Sequence, residues 1–303
     1  MNKPPPCIFC GEPSSRRGEH VMTQWFLERY VGEGPFTYEI SGEPILDRVG
    51  NPRTANHLPP DLLPVCDGNT SPNDCNGSLN RLYEVPSRGS VQAVVDRGEA
   101  LETLLDVTNF ARWWIKTILL LQHPSCRNAF PGIERRSWDL PASVYEGLIK
   151  GTLPPDVSLW LARSDDLRGD IQLPELMRVY LPTTFNPEGG GGKPASLLAG
   201  IRHMANRMLQ IQLVAHPLCD FDHPFEPAGL VEKLWPEPSG KLDVNSLPIL
   251  SSEGRRQLGA LFVDAGVGSN LPANGWREFI EAVPDGSPLS SPVFVIPPAS
   301  SGP

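Results

Sequence analysis

"CIFCGEPSSRRGEH", residues 7–20, places two cysteines three positions apart and, nine residues after the second, a glutamate beside a histidine. The spacing of Cys7 and Cys10 is typical of a tight turn that presents two thiolates to one metal ion. The same spacing occurs in redox pairs, but the strand-to-helix unit that surrounds such pairs is not indicated here. We therefore favour a metal site and keep a redox pair as an alternative.

A second cysteine pair lies further along the chain, in "CDGNTSPNDC", residues 66–75, with eight residues between its cysteines. Gly68 and Pro72 interrupt this segment, so the loop can bulge outward and still return both thiols to one point. Two local pairs of thiolates match the needs of a tetrahedral zinc ion. We predict a structural Zn²⁺ bound by Cys7, Cys10, Cys66 and Cys75, with four unrelated buried cysteines as the alternative.

Composition limits the fold and the partners. The chain has 303 residues, 34 prolines and 40% hydrophobic residues, which is typical of a globular α+β protein with many short elements. The net charge of −9 argues against nucleic-acid binding driven by overall charge. We predict three parts: a loop-rich module at 1–88 that needs a metal to compensate for its small core, an α+β region at 89–285, and a Pro/Ser-rich tail at 286–303.

The start of the chain, "MNKPPPCIFC", lacks the apolar segment of a secretory signal, and no long apolar run predicts a membrane span. Six cysteines without such a signal do not indicate a disulfide framework. We therefore expect a cytoplasmic protein.

Periodicity predicts several elements beyond the first module. A helix is predicted from about residue 90 to 122, because apolar residues from Leu104 to Leu121 recur at helical spacing and Leu105 widens a face that becomes apolar almost all round. Strands are predicted at 157–163, 177–181, 293–296 and around 209–213, where leucine and isoleucine alternate with Gln210 and Gln212 as in a half-buried strand. The stretches 195–206 and 253–265 are predicted to be helical.

Each cysteine pair has polar residues next to it that could serve chemistry. Glu19 and His20 follow the first pair, and Asn76 directly follows Cys75 at an expected helix start, with Asp74 as a candidate cap. Asn80 lies one helical turn after Asn76 and on the same face. A zinc ion that joins the two pairs would hold these groups in a fixed relation.

In this order, the residues resemble the HNH, or ββα-metal, endonucleases, and most of all the endonuclease VII-like branch with a four-cysteine zinc site. The resemblance covers roughly residues 5–86 and rests on "EHVMTQW" and "CNGSLNRLYE" together with the four cysteines. It implies an N-terminal zinc-stapled ββα-metal module, followed by a buried helix and a mixed α+β region.

The resemblance also implies a reaction. Glu19 and Asn76 would bind a catalytic Mg²⁺ or Mn²⁺ at the scissile phosphate, since oxygen ligands suit such hard cations. His20 would be the general base, because histidine side chains can exchange protons near neutral pH, and Asn80 would be a further ligand or a water-positioning residue. DNA is the expected substrate and RNA the alternative.

Charge gives this interpretation little support. Residues 1–88 carry eight basic and eleven acidic side chains, a net charge of −3. Arg16, Arg17 and Arg81 are candidates for a phosphate-binding face, and ordinary surface arginines are the equal alternative. A non-enzymatic zinc module that binds nucleic acid or protein is therefore the second hypothesis for function.

The remaining motifs indicate ordinary structural roles. His123 with Cys126, and His216 with Cys219 and His223, would form a second metal site only if their loops met. The adjacent residues Trp113 and Trp114 are expected in the core rather than in a base-stacking platform.

Overall fold

The structure is a computed structural model that describes most of the chain up to residue 250. The longer described ranges are 4–14, 19–26, 62–121, 142–165, 195–203, 207–215 and 225–250, and the shorter ones are 28–29, 36–37, 39–40, 43–44, 49–51, 54–55, 177–179, 183–184, 262–263, 293–294 and positions 123, 125, 223 and 258. Within these ranges, no helix combines the length and the apolar character that crossing a membrane requires.

The described elements are a mixture of helices and mainly antiparallel strands, which confirms the predicted α+β class. The helices are α1 (Gln24–Phe26), α2 (Cys75–Leu79), α3 (Val85–Gln92), α4 (Leu104–Leu121) and α5 (Ala142–Leu148). The strands are β1 (Glu19–His20), β2 (Phe36–Thr37), β3 (Glu39–Ile40), β4 (Glu43–Pro44), β5 (Thr54–Ala55), β6 (Leu62–Leu63), β7 (Val157–Asp165), β8 (Met177–Val179), β9 (Thr183–Thr184), β10 (Ala195–His203), β11 (Arg207–Ala215), β12 (Glu232–Trp235), β13 (Ile249–Leu250), β14 (Phe262–Val263) and β15 (Val293–Phe294).

Residues 75–97 are helical throughout, because two π-helical turns, Asn80–Glu84 and Ala93–Arg97, join α2 to α3 and extend α3. Pro86 lies inside this continuous helix, where it removes one backbone donor, and the π-helical turn Asn80–Glu84 lies directly before α3. The domain boundary that we predict at residue 88 lies inside α3.

The helix predicted from about residue 90 to 122 is confirmed over residues 104–121, which form α4. Residues 98–103 are not helical, because Gly98 at φ 61° ends the preceding helix. Its second half is buried on every side, as the all-round apolar pattern indicates, and from Phe110 the fully buried side chains are Phe110, Ala111, Trp113, Trp114, Ile115, Lys116, Thr117, Ile118 and Leu119. Leu104 and Leu105, which the pattern assigns to the buried face, are 54% and 68% exposed. Periodicity identifies the apolar face of a helix, but it does not show over what length of the helix the rest of the protein covers that face.

A seven-stranded sheet follows the helices, in the order β12–β7–β11–β10–β8, with β13 parallel to β7 and β9 beside β10. The long strands β7, β10 and β11 are antiparallel neighbours, and α4 packs against β11 and β12. The strands predicted at 157–163 and 177–181 are confirmed by β7 and β8.

The helix predicted over 195–206 is wrong, because residues 195–203 form β10. This segment is rich in alanine and leucine, which favour helices in isolation. In the fold, however, β10 pairs with β11 along its whole length and with β8 and β9 on its other edge. Hydrogen bonding on both edges outweighs a propensity that amounts to fractions of a kcal/mol per residue.

The strand predicted around 209–213 is confirmed as β11, but it is not half-buried. Gln210 and Gln212 are as fully buried as the leucines and isoleucine that alternate with them. Gln210 Nε2 donates to Ser164 Oγ at 3.0 Å, and Gln212 Nε2 donates to the carbonyl of Leu258 at 2.7 Å. Both faces of the sheet are therefore covered here, and the glutamines pair inside the protein instead of with water.

Little of the chain beyond residue 250 is described. Of the helix predicted over 253–265, Leu258 is helical and residues 262–263 form β14; the rest lies outside the described residues. β14 pairs in parallel with β15, which confirms part of the strand predicted at 293–296. The glycine-rich segment 186–194 and the remainder of the tail also lie outside the described residues.

One buried apolar cluster connects these parts. It runs from Cys7 and Cys75 through α4 to sheet residues such as Leu213. Phe26 of α1 lies at its centre, with its ring centroid 4.7 Å from that of Trp113. The first module therefore packs its apolar side chains directly against α4.

Candidate functional site

Four cysteines from distant parts of the chain come together at the N-terminal end of α2. The sulfur atoms of Cys7, Cys10, Cys66 and Cys75 all lie within 4.8 Å of one another, and all four thiols are free. The Cys10 and Cys66 sulfurs are 3.6 Å apart, close to the separation of about 3.8 Å that tetrahedral Zn–S bonds of about 2.3 Å require. The cluster could hold a zinc ion, and the alternative of four unrelated cysteines is excluded.

Backbone hydrogen bonds shape the first cysteine pair into a tight turn. The N–H of Cys7 donates to the carbonyl of Glu12 at 2.7 Å, and the N–H of Gly11 donates to the carbonyl of Cys7 at 2.9 Å. Gly11 has φ +75°, a conformation that glycine adopts without steric cost. Cys7 is only 3% exposed, which argues against a redox pair that exchanges electrons at the surface.

Asp67 organises the long loop between the second pair of cysteines. Its Oδ1 accepts hydrogen bonds from the N–H of Asn69 at 3.0 Å and from the N–H and hydroxyl of Thr70 at 2.9 and 3.0 Å. The N–H of Ser71 then donates to the carbonyl of Asp67 at 2.9 Å. These bonds curl the eight intervening residues back, so that the N–H of Asn76 donates to the carbonyl of Cys66 at 3.0 Å.

The helix start predicted at Cys75 is confirmed, and so is Asp74 as its cap. Asp74 has φ 40° and accepts a hydrogen bond from the N–H of Gly77 through Oδ1 at 3.1 Å. A Cβ atom at position 77 would lie 2.6 Å from Asp74 Cγ. The carboxylate therefore occupies space that only glycine leaves free.

Burial and hydrogen bonds shift the pKa values of Cys10, Cys66 and Cys75 in the cluster. Burial raises the pKa of Cys66 and of Cys75. Burial acts in the same sense on Cys10, but hydrogen bonds from the Glu12 backbone, the Asn73 side chain and the neighbouring thiols outweigh it and lower its pKa to about 7. A buried cluster of this kind favours a bound cation, because four thiolates need a compensating positive charge.

Glu19 and Asn76 lie together beside the cysteines. Strand β1 pairs with β6, which places Glu19 opposite Leu63, three residues before Cys66. The Asn76 side chain lies close enough to Glu19 to lower the pKa of that carboxyl through hydrogen bonding. The sequence separates these two groups by more than fifty positions, and the joined cysteine pairs bring them into contact.

The electrostatic environment of Glu19 contains further charges. Burial raises the pKa of Glu19, the negative charges of Asp67 and Glu84 raise it further, and the charge of His20 and the Asn76 hydrogen bond oppose the rise. His20 follows Glu19 on β1 and is exposed to solvent. A divalent cation at Glu19 would relieve the repulsion among these carboxylates.

Asn80 occupies a more peripheral position. Its side chain is exposed, and its backbone N–H donates to the carbonyls of Asn76 and Gly77 within the helix. It lies one turn from Asn76, as expected.

Three residues near Glu19 or His20 are absent from the sequence-based prediction. Asp67 and Glu84 contribute negative charge to Glu19, and Lys116 donates a hydrogen bond to the carbonyl of Val21, the residue after His20. Glu84 could have been found from its spacing, since it lies eight residues, or two turns, after Asn76. Lys116 stands out only as a charge within the apolar part of α4.

The candidate phosphate-binding arginines are only partly described. Arg81 Nη1 lies 3.3 Å from Asp74 Oδ2, so its charge is partly compensated within the protein. Arg16 and Arg17 lie outside the described residues. Trp113 and Trp114 are fully buried, as expected for core residues.

The residues considered for a second metal site do not assemble one in the described part of the chain. His223 is buried; its Nδ1 accepts from the N–H of Phe225 at 3.0 Å, and its Nε2 lies 2.8 Å from Gln212 Oε1. Both ring nitrogens are therefore engaged within the protein. Cys126, His216 and Cys219 lie outside the described residues, and the cysteine cluster is the one group of potential ligands found among the described residues.

No family model, curated protein or solved structure matches this chain.

Proposed function

We propose that this protein is a metal-dependent endonuclease that hydrolyses phosphodiester bonds in nucleic acid, with DNA as the first substrate to test and RNA as the second. The observation that carries the proposal is the contact between Glu19 and Asn76 beside the four-cysteine cluster, with His20 next to Glu19. This juxtaposition is what the HNH resemblance requires, and it joins residues from two distant segments.

Two further features support a ββα-metal module. The chain order is a strand at β1, a paired strand at β6 and a helix at α2, with the cysteines at the junctions. In this reading a structural Zn²⁺ bound by the four thiolates joins the turn before β1 to the start of α2. The ion would thereby fix the separation of Glu19 from Asn76.

The roles of the side chains follow from their chemistry. Glu19 and Asn76 would hold Mg²⁺ or Mn²⁺ through oxygen atoms, and the cation when bound would neutralise charge on the scissile phosphate and stabilise the leaving oxygen. His20 is solvent-exposed, so it can accept a proton from the attacking water and pass it to solvent. Asn80 would have a lesser role in the reaction, as a residue that positions a water molecule.

A plasmid-nicking assay with Mg²⁺ or Mn²⁺ tests the proposal, with a single-stranded RNA assayed in parallel. We expect the native protein to cleave and His20→Ala to lose activity by about 10²-fold or more, as removal of a general base does. His57→Ala is the matched control, since His57 belongs to the same module and is given no role in the reaction. Glu12→Gln is the control for Glu19→Gln, because Glu12 is an exposed carboxylate in the turn of the first cysteine pair.

Two results would contradict the proposal. Cleavage that persists in His20→Ala at the native rate would remove His20 from the mechanism. Failure of native, zinc-loaded protein to cleave any nucleic acid would favour the second hypothesis, a zinc module that binds nucleic acid or protein without reaction.

A further inference from the structure

The apolar half of α4 carries one buried cation whose contacts lead to the candidate site. Lys116 has a side chain only 1% exposed. Its Nζ donates to the carbonyl of Val21 at 2.9 Å and lies 3.2 Å from Glu84 Oε1. It also lies 5.8 Å from the centroid of the Trp113 ring, so the ammonium sits against an aromatic face.

A gain in folding stability does not explain the charged side chain at position 116. Removing an ammonium from water carries a large desolvation cost, and a buried ion pair commonly gives no net gain over an apolar pair of similar size. The other fully buried side chains in this part of α4 are uncharged, and all except Thr117 are apolar. A leucine or methionine at position 116 would fill similar space without a charge. The groups that the Lys116 ammonium contacts therefore have to explain why a charged residue stands here.

What Lys116 binds are the two elements that carry the candidate site. Val21 directly follows His20, so its carbonyl fixes the chain where β1 ends. Glu84 belongs to the same continuous helix as Asn76, and its carboxylate is close enough to raise the pKa of Glu19. One ammonium therefore ties the strand of Glu19 and His20 to the helix of Asn76.

We propose that Lys116 is a positioning residue that sets the direction of Glu19 and His20 through the Val21 carbonyl, while Glu84 compensates its charge. This inference rests on the proposed function. It also implies that residues 1–88 need α4 to complete their site, because the anchoring group comes from beyond the module.

The test compares Lys116→Met with Glu84→Gln in the full-length, zinc-loaded protein. Lys116→Met keeps an unbranched side chain of nearly the same length and removes the donor to Val21. Glu84→Gln removes the compensating charge and leaves that donor in place. We expect Lys116→Met to lower kcat for plasmid cleavage by roughly 10- to 100-fold with KM changed less than about twofold, because a misplacement of about 1 Å can cost about 10²-fold.

Glu84→Gln tests the charge compensation. It leaves a buried charge without its acidic partner, so it should lower the thermal midpoint more than Lys116→Met does. Thr117→Val changes the neighbouring buried side chain of α4 and leaves the Lys116 donor in place, so this variant is the activity control and should keep the native kcat. Lys116→Arg, which restores charge and donors, should recover part of the lost kcat. Equal loss of kcat in Lys116→Met and Thr117→Val would overturn the proposal, as would a native kcat in folded Lys116→Met.

A second measurement does not depend on catalysis. The side-chain amide signals of Asn76 and the ring signals of His20, assigned with Asn76→Ala and His20→Ala, can be followed by NMR. Lys116→Met should shift both sets and Glu84→Gln should leave the His20 ring signals in place. If the native protein cleaves nothing, the proposed function fails, and these spectra still decide the role of Lys116: unmoved signals in Lys116→Met would refute it.

Discussion

Replacing Gly77 with alanine tests how the helix that carries Asn76 begins. Alanine is normally the better helix former by about 1 kcal/mol. Here the added Cβ would lie 2.6 Å from Asp74 Cγ and Oδ1, so the capping carboxylate must move. Gly77→Ala should therefore destabilise the protein, contrary to the usual effect of this substitution in a helix.

The expected size follows from what the carboxylate does. Displacing it removes the N-cap hydrogen bond to the Gly77 N–H, which typically contributes about 1 kcal/mol. It also forces the Asp74 side chain away from its present rotamer, which costs about 1 kcal/mol. Against a gain of up to about 1 kcal/mol from alanine, the net destabilisation should be roughly 1 kcal/mol.

Asp74→Gly provides the matched background. Glycine tolerates a positive φ and serves as an N-cap with a loss of only a few tenths of a kcal/mol or so. Without the carboxylate the clash is absent, so adding Gly77→Ala to Asp74→Gly should stabilise the protein by about 0.5–1 kcal/mol. The sign of the same substitution therefore reverses between the two backgrounds.

Urea unfolding of the native protein, both single variants and the double variant, with excess zinc throughout, measures the coupling. The coupling energy should be about 2 kcal/mol, within the range found for residues in contact. Additive effects, or destabilisation by Gly77→Ala in both backgrounds, would show that the Asp74 carboxylate does not constrain position 77.

Two further predictions concern metal binding and pH. Zinc analysis of the purified protein should find a bound zinc ion that Cys75→Ser loses and that Cys126→Ser, a cysteine outside the cluster, retains; equal zinc content in the two variants would contradict the four-thiolate site. Burial lowers the pKa of His223 to about 3, whereas an unfolded histidine titrates near 6.5, so unfolding takes up a proton in acid. The contribution of His223 is thus fully present above pH 6.5 and should be lost at about 1 kcal/mol per pH unit as the pH falls toward 3. The slope of unfolding free energy against pH should be smaller in His223→Gln, and an identical slope would show that the histidine titrates normally in the folded protein.

Local chemistry explains which predictions succeeded. The start of α2 was readable because Asp74 precedes a helix-compatible run, and α4 was readable because its apolar residues repeat with the period of a helix. Grouping the cysteines was possible because each pair is close in sequence, so only one long-range contact had to be inferred.

The failures have a different origin. The segment 195–203 favours a helix by composition but lies between two partner strands, and partners distant in sequence leave no local signal. Gln210 and Gln212 indicated a solvent-facing side, yet Ser164, Leu258 and His223 provide their hydrogen-bond partners inside the protein.

Residue order alone predicts the thiol pairs, the helix that begins at Cys75, the buried helix α4 and the polar residues beside each pair. These depend on interactions within a few residues, which spacing and residue type record. The folded chain is needed to show that Glu19 lies beside Asn76, that Asp67 and Glu84 add charge to Glu19, and that Lys116 reaches the carbonyl of Val21 from α4. Those contacts join segments up to 95 residues apart, and they exist because burial of one shared apolar core brings the segments together.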